Sequence, residues 1–159
     1  MRLFPLALTT CLFVLPAAAV AQEKSYPAEV RAVLAEARTA CTEEDGKRVT
    51  FAPQTVRRVD LTGDGRPDFI VDLKHARCDG RDTTFCGTGG CDFAIVVAKP
   101  DGSFARVFFQ RVLTYRIEGS RGPRTIRFIL HGSRCGKVGA DPCVKRQRIS
   151  GEAFRFEEP

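Results

Sequence analysis

Val30, Val33, Leu34, Ala37 and Cys41 recur at helical spacing, while Arg31, Glu36 and Arg38 fall off that stripe. Pro27 suits the first turn of a helix, where a missing N–H costs nothing. The pattern predicts an amphipathic helix over about 27–41. Its stripe is expected to face a core rather than a membrane, because Cys41 lies on it and requires a buried partner sulfur. The polar segment from Thr42 to Lys47 is expected to break the helix.

Beyond it the period changes from helical to alternating. Arg124 to His131 sets Ile126, Phe128 and Leu130 against Thr125, Arg127, Ile129 and His131, the pattern of a half-buried strand. Strands are predicted at 54–60, 68–74, 91–98, 104–113, 115–118, 124–132, 144–150 and 153–156. Pro100-Asp101-Gly102 and Ser150-Gly151-Glu152 supply tight turns between them. Short connections favour antiparallel pairing in a meander. The fold class read from this order is α+β: an N-terminal helix packed on an antiparallel sheet of about six to eight strands, with the β-rich part at about 49–157.

The first residues change the picture of where this domain works. Arg2, an apolar run and Ala19-Val20-Ala21 before Gln22 form the pattern of a secretory signal peptide over residues 1–21. Residues 22–159 then make a single domain, periplasmic or secreted, with no later segment able to span a bilayer. Of the 7 cysteines, Cys11 belongs to the signal; Cys41, Cys78, Cys86, Cys91, Cys135 and Cys143 remain. An even number in an oxidising compartment reads as three disulfides. Cys86 and Cys91 are close in sequence across a glycine-rich turn, Cys135 and Cys143 enclose a polar loop, and Cys41 is left for Cys78. That is one of 15 pairings six cysteines allow. Zinc is not expected, since no C-x2-C pair is present and the compartment favours disulfides.

The stretch DLTGDGRPD, from Asp60 to Asp68, carries the clearest candidate chemistry. With Asp60 as position 1, Asp60, Thr62, Asp64 and Asp68 stand at positions 1, 3, 5 and 9, Gly65 at 6, and the Arg66 carbonyl at 7. Several oxygens converging from one tight loop suit calcium, which accepts irregular geometry where magnesium demands an octahedron. Val71 stands where an EF-hand has its bidentate Glu, so this is not an EF-hand. The loop instead resembles the calcium loops of FG-GAP and VCBS-type repeats, over Asp60 to Asp72, in a single copy and with Thr62 replacing the usual Asp or Asn. The resemblance implies a calcium loop between two strands, without the propeller of those families. A loop of this kind followed by a glycine-rich cysteine stretch also resembles small exported bacterial proteins of unassigned function.

The formal net charge is +6, and it is polarised. Between Ser103 and Ser150 eleven Lys or Arg face only Glu118 and Asp141. Arg146 and Arg148 share one face of a predicted strand, and Arg124 and Arg127 lie on a neighbouring segment; together they are the expected anion-binding residues. Nucleic acid is not an expected partner after export, so the anion is expected to be an envelope polymer or a lipid headgroup. Gly87 to Gly90 lacks the Lys-Ser/Thr and the following helix of a phosphate cradle. No catalytic motif is found, and His75 stands alone near a strand end. The function read from these features is a non-enzymatic exported binding or envelope-associated protein. The rivals are a small secreted hydrolase near His131 and Ser133, and a secreted enzyme inhibitor.

Overall fold

A computed structural model of the chain describes residues 23–149, apart from 46–47, 80–83, 121 and 140. The expected signal peptide, with Cys11, and the expected strand over 153–156 lie outside the described residues. Helix α1 (Ala28–Asp45) starts where the Arg31 N–H reaches the Pro27 carbonyl at 3.0 Å. Its five stripe residues are all at most 3% exposed. The helix continues about a turn past Cys41, where Thr42 and Glu43 are exposed. Thr42 Oγ1 donates back to the Arg38 carbonyl at 2.9 Å.

Ten strands follow among the described residues: β1 (Val49–Phe51), β2 (Val56–Val59), β3 (Asp68–Asp72), β4 (Ala76–Cys78), β5 (Cys86–Gly87), β6 (Gly90–Ala98), β7 (Phe104–Val112), β8 (Thr114–Glu118), β9 (Thr125–Leu130) and β10 (Cys143–Arg148). All pairings are antiparallel. They form three hydrogen-bonded groups rather than one meander: β2-β3-β6 with β5 and β7 both on β6, β8-β9-β10, and β1-β4. β1, β4 and β5 are too short to leave an alternating signature. The strand expected from Gln54 begins only at Val56, because Pro53 fixes φ and opens a 3-10 turn over Pro53–Thr55. The strand from Asp68 stops at Asp72, whose carboxylate accepts the Lys74 N–H at 3.1 Å and starts the 3-10 turn Leu73–His75.

The layers explain the run of apolar residues in β3 and β6. One face of the five-stranded sheet, with Phe69, Val71, Ala94 and Val96, packs under Val30, Val33, Leu34 and Ala37 of α1. The other, with Ile70, Phe93, Ile95 and Val97, packs on Ile126, Phe128 and Leu130 of the three-stranded sheet. A sheet covered on both sides loses the alternation that a half-exposed sheet shows. Phe93 lies at the centre of the second core, with its ring edge-on to Phe108 and Phe128. The outer face of β8-β9-β10 is left to solvent.

The cysteines pair Cys41–Cys78, Cys86–Cys91 and Cys135–Cys143. The first ties α1 to β4, the second is a cross-strand pair of β5 and β6, and the third links the 3-10 turn Gly132–Cys135 to β10. No helix among the described residues is long and apolar enough to cross a membrane. Three disulfides fit an extracellular or periplasmic setting.

Loop-closure entropy ranks the three bonds. Cys41–Cys78 spans 37 residues and should contribute about 4 kcal/mol, against about 2 kcal/mol for the five-residue span of Cys86–Cys91. Urea unfolding of the paired alanine variants should show the larger loss for Cys41→Ala/Cys78→Ala, and unreduced protein should expose none of the six thiols to alkylation. Equal losses would remove loop length as the cause.

Candidate functional site

Among the described residues, three clusters of polar side chains outside the two cores stand out. The first is the aspartate loop between β2 and β3. Asp60 accepts the Gly63 N–H at 2.6 Å and the Gly65 N–H at 3.0 Å, one on each oxygen. Asp64 is held by the Arg66 amide at 2.8 Å and by its guanidinium at 2.6 Å and 3.1 Å. The hydrogen bonds from the Arg66 side chain, and then its amide, hold the Asp64 carboxyl below the ordinary aspartate range. Asp68 points inward and is fully buried, accepting the Leu61 N–H at 2.7 Å, the Thr62 N–H at 3.0 Å and the Ala98 N–H at 2.9 Å.

The three carboxylates are thus satisfied by amides and one arginine. Among the described residues, no group of three or more His, Cys, Asp or Glu stands together as a metal site. The hydroxyl of Thr62 is the remaining side-chain oxygen of the loop. It adds slightly to the lowering at Asp64, yet it is buried and makes no hydrogen bond of good geometry. Gly63, at φ +76°, sits against the turn before β9, where a Cβ would come within 2.2 Å of the Gly122 backbone. Arg66 also reaches across to the Lys99 carbonyl.

The second cluster is the outer face of β8-β9-β10. Register places Arg116 opposite Arg127, and Arg127 opposite Arg146, so three guanidinium groups share one cross-strand row. Arg148 lies on the same face two residues along β10, opposite Thr125. Arg124 does not belong to it: it precedes β9 on the parity of Ile126 and Phe128, and its carbonyl accepts the Ile149 N–H at 2.9 Å. Arg116 joins the row although it was not among the four expected residues; only pairing could reveal it. Glu118 is the acidic residue of this face and meets Arg146 at 3.5 Å. The Nε of Arg127, at the centre, is buried without a hydrogen-bond partner. Like charges directly opposite one another on a sheet cost stability.

The third cluster surrounds His75, which the sequence places alone. In the fold it lies beside Asp72, with Nε2 at 3.9 Å from Oδ2, and across a cleft from Tyr115 on edge strand β8. The Tyr115 hydroxyl accepts from the Arg57 guanidinium at 3.1 Å. Its ring packs on Phe93 at 4.5 Å between centroids. Burial, opposed by Arg57, pushes the Tyr115 phenol above its ordinary range. His131, by contrast, is not on a strand; it enters the turn Gly132–Cys135, and its Nδ1 lies 2.8 Å from Ser133 Oγ. The ring packs over Gly139, and no carboxylate completes a triad there among the described residues.

Tyr115 gives this region a pH signature. The folded chain keeps the phenolic proton to higher pH than the unfolded chain, so stability is full below about pH 10 and is lost as pH rises through the folded value. Alkaline titration of tyrosinate absorbance should show a step above pH 10 that Tyr115→Phe removes, together with a shallower loss of stability. A step near or below 10 would mean that the ring is solvated. Comparison of the chain with protein-family models, with curated proteins and with solved structures finds no match to any of them.

Proposed function

We propose that this is a non-enzymatic exported domain that binds an anionic polymer of the cell envelope across the outer face of β8-β9-β10. The observation that carries the reading is the in-register row of Arg116, Arg127 and Arg146, with the central Nε buried and unsatisfied. The members of such a row repel one another, offset at Arg146 by Glu118. A chain of regularly spaced carboxylate, sulfate or phosphate groups would relieve both the repulsion and the unmet donor. Three disulfides and two closed cores provide a rigid base for a binding surface.

This reading gives one substitution two effects of opposite sign. Arg127→Gln should shift elution from a heparin-type resin to lower salt and, without ligand, leave stability unchanged or raised by a few tenths of a kcal/mol. Arg124→Gln, off the face, should leave elution where it was. Unchanged elution in Arg127→Gln would assign the row to solubility alone.

A second reading concerns the aspartate loop and is favoured by the carboxylates of Asp60 and Asp64 and the Thr62 hydroxyl being held on one tight turn. As a weak calcium site it would draw on Asp60, Thr62, Asp64 and the Arg66 carbonyl without the inward-facing Asp68, with the ion competing against the Arg66 guanidinium for Asp64. An ion bound only to the folded chain raises the melting temperature in proportion to its occupancy. About 5 mM calcium, above the weak Kd of extracellular modules, should therefore raise it relative to chelator, and more so in Arg66→Ala. No shift in either protein would leave the loop closed by hydrogen bonds alone.

A further inference from the structure

The cleft between the 3-10 turn Leu73–His75 and edge strand β8 has a volume of about 420 Å³. Its walls carry Arg57, Lys74 and Arg116 as permanent cations, His75 as a titratable donor, and Asp72 as the one carboxylate. These residues come from three places in the chain: β2, the segment closing β3, and β8. Asp72 is already occupied, accepting the Lys74 N–H and facing His75, so it orients the wall rather than filling the cleft. With His75 neutral the side chains leave two positive charges in excess. The Tyr115 hydroxyl and Thr114 add uncharged hydrogen-bonding groups to the same walls.

We propose that this cleft binds a single tetrahedral dianion, a phosphate group, separately from the polymer on the arginine face. A carboxylate would neutralise half of the excess charge and present two oxygens in a plane. A phosphate carries both charges and several acceptor oxygens, matching the guanidinium groups that Arg57 of β2 and Arg116 of β8 contribute to the lining. The raised Tyr115 phenol keeps its proton and so remains a donor to an anion. Arg57, Lys74 and His75 lie outside the arginine face, and Arg116 borders both.

Calorimetric titration at pH 8 and constant ionic strength tests this with inorganic phosphate, glycerol phosphate and acetate. Phosphate should bind and acetate should bind at least about tenfold more weakly, as expected for lost charged hydrogen bonds. Arg57→Gln should weaken phosphate about tenfold or more while its heparin elution stays unchanged. Arg127→Gln should do the reverse. Tighter binding of glycerol phosphate would identify the ligand as the monoester end of a larger molecule, and tighter binding of inorganic phosphate as the free ion. The proposal is overturned if phosphate gives no heat and no change in melting temperature, if acetate binds equally, or if Arg57→Gln leaves phosphate affinity unchanged. Circular dichroism on Arg57→Gln separates loss of the site from loss of the fold, since Arg57 is exposed and its removal leaves both cores intact.

Discussion

The carboxylate of Asp68 is buried to 0% exposure, and three backbone amides from two separate segments converge on it. A buried charge is tolerable only where donors replace the water it has lost. Leu61 and Thr62 supply two from the loop that enters β3, and Ala98 supplies the third from the end of β6. The interaction therefore fixes the start of β3 against both neighbours and sets how the 60–68 loop leaves the sheet. Gly63 then meets the turn before β9, and Arg124 donates its N–H to the Leu61 carbonyl at 2.8 Å. The same aspartate that looks like a metal ligand holds the loop through which Leu61 and Gly63 reach the outer sheet.

β3 and β6 are covered on both faces. α1 covers one side and β8-β9-β10 the other, leaving Phe109 of β7 exposed. The outer face of the last sheet is accessible and carries Arg116, Arg146 and Arg148 of the basic half of the chain. Side chains on the inner face must fit Phe93 and Phe108; those on the outer face are free to carry charge. The layer order thus turns an uneven distribution of Lys and Arg along the sequence into a surface with direction.

Arg116 connects the two cationic regions. It lies in the cross-strand row with Arg127 and Arg146 and also borders the cleft beside His75 and Tyr115. Charges at both places are partly solvated, so their mutual repulsion weakens as the screening length shortens with salt.

The sequence by itself determined the elements whose signals are local. The stripe from Val30 to Cys41 marks α1, the alternation from Thr125 to Leu130 marks β9, and the glycine-rich CGTGGC brings two cysteines face to face across a tight turn. The short strands β1 and β4 left no such signal, and the continuous apolar runs of β3 and β6 could not say what covers each face. Only the tertiary structure decided which charges meet. Alternation assigns a residue to a face but not to a register, so Arg116 could not be seen opposite Arg127, while parity alone removes Arg124. His75 acquires Tyr115 and Arg57 through sheet stacking, which no spacing along the chain encodes. For the aspartate loop, sequence specified oxygen-rich chemistry in a sharp turn. The fold directed Asp68 inward to the amides of Leu61, Thr62 and Ala98, because a residue that begins a doubly covered strand has no solvent to face.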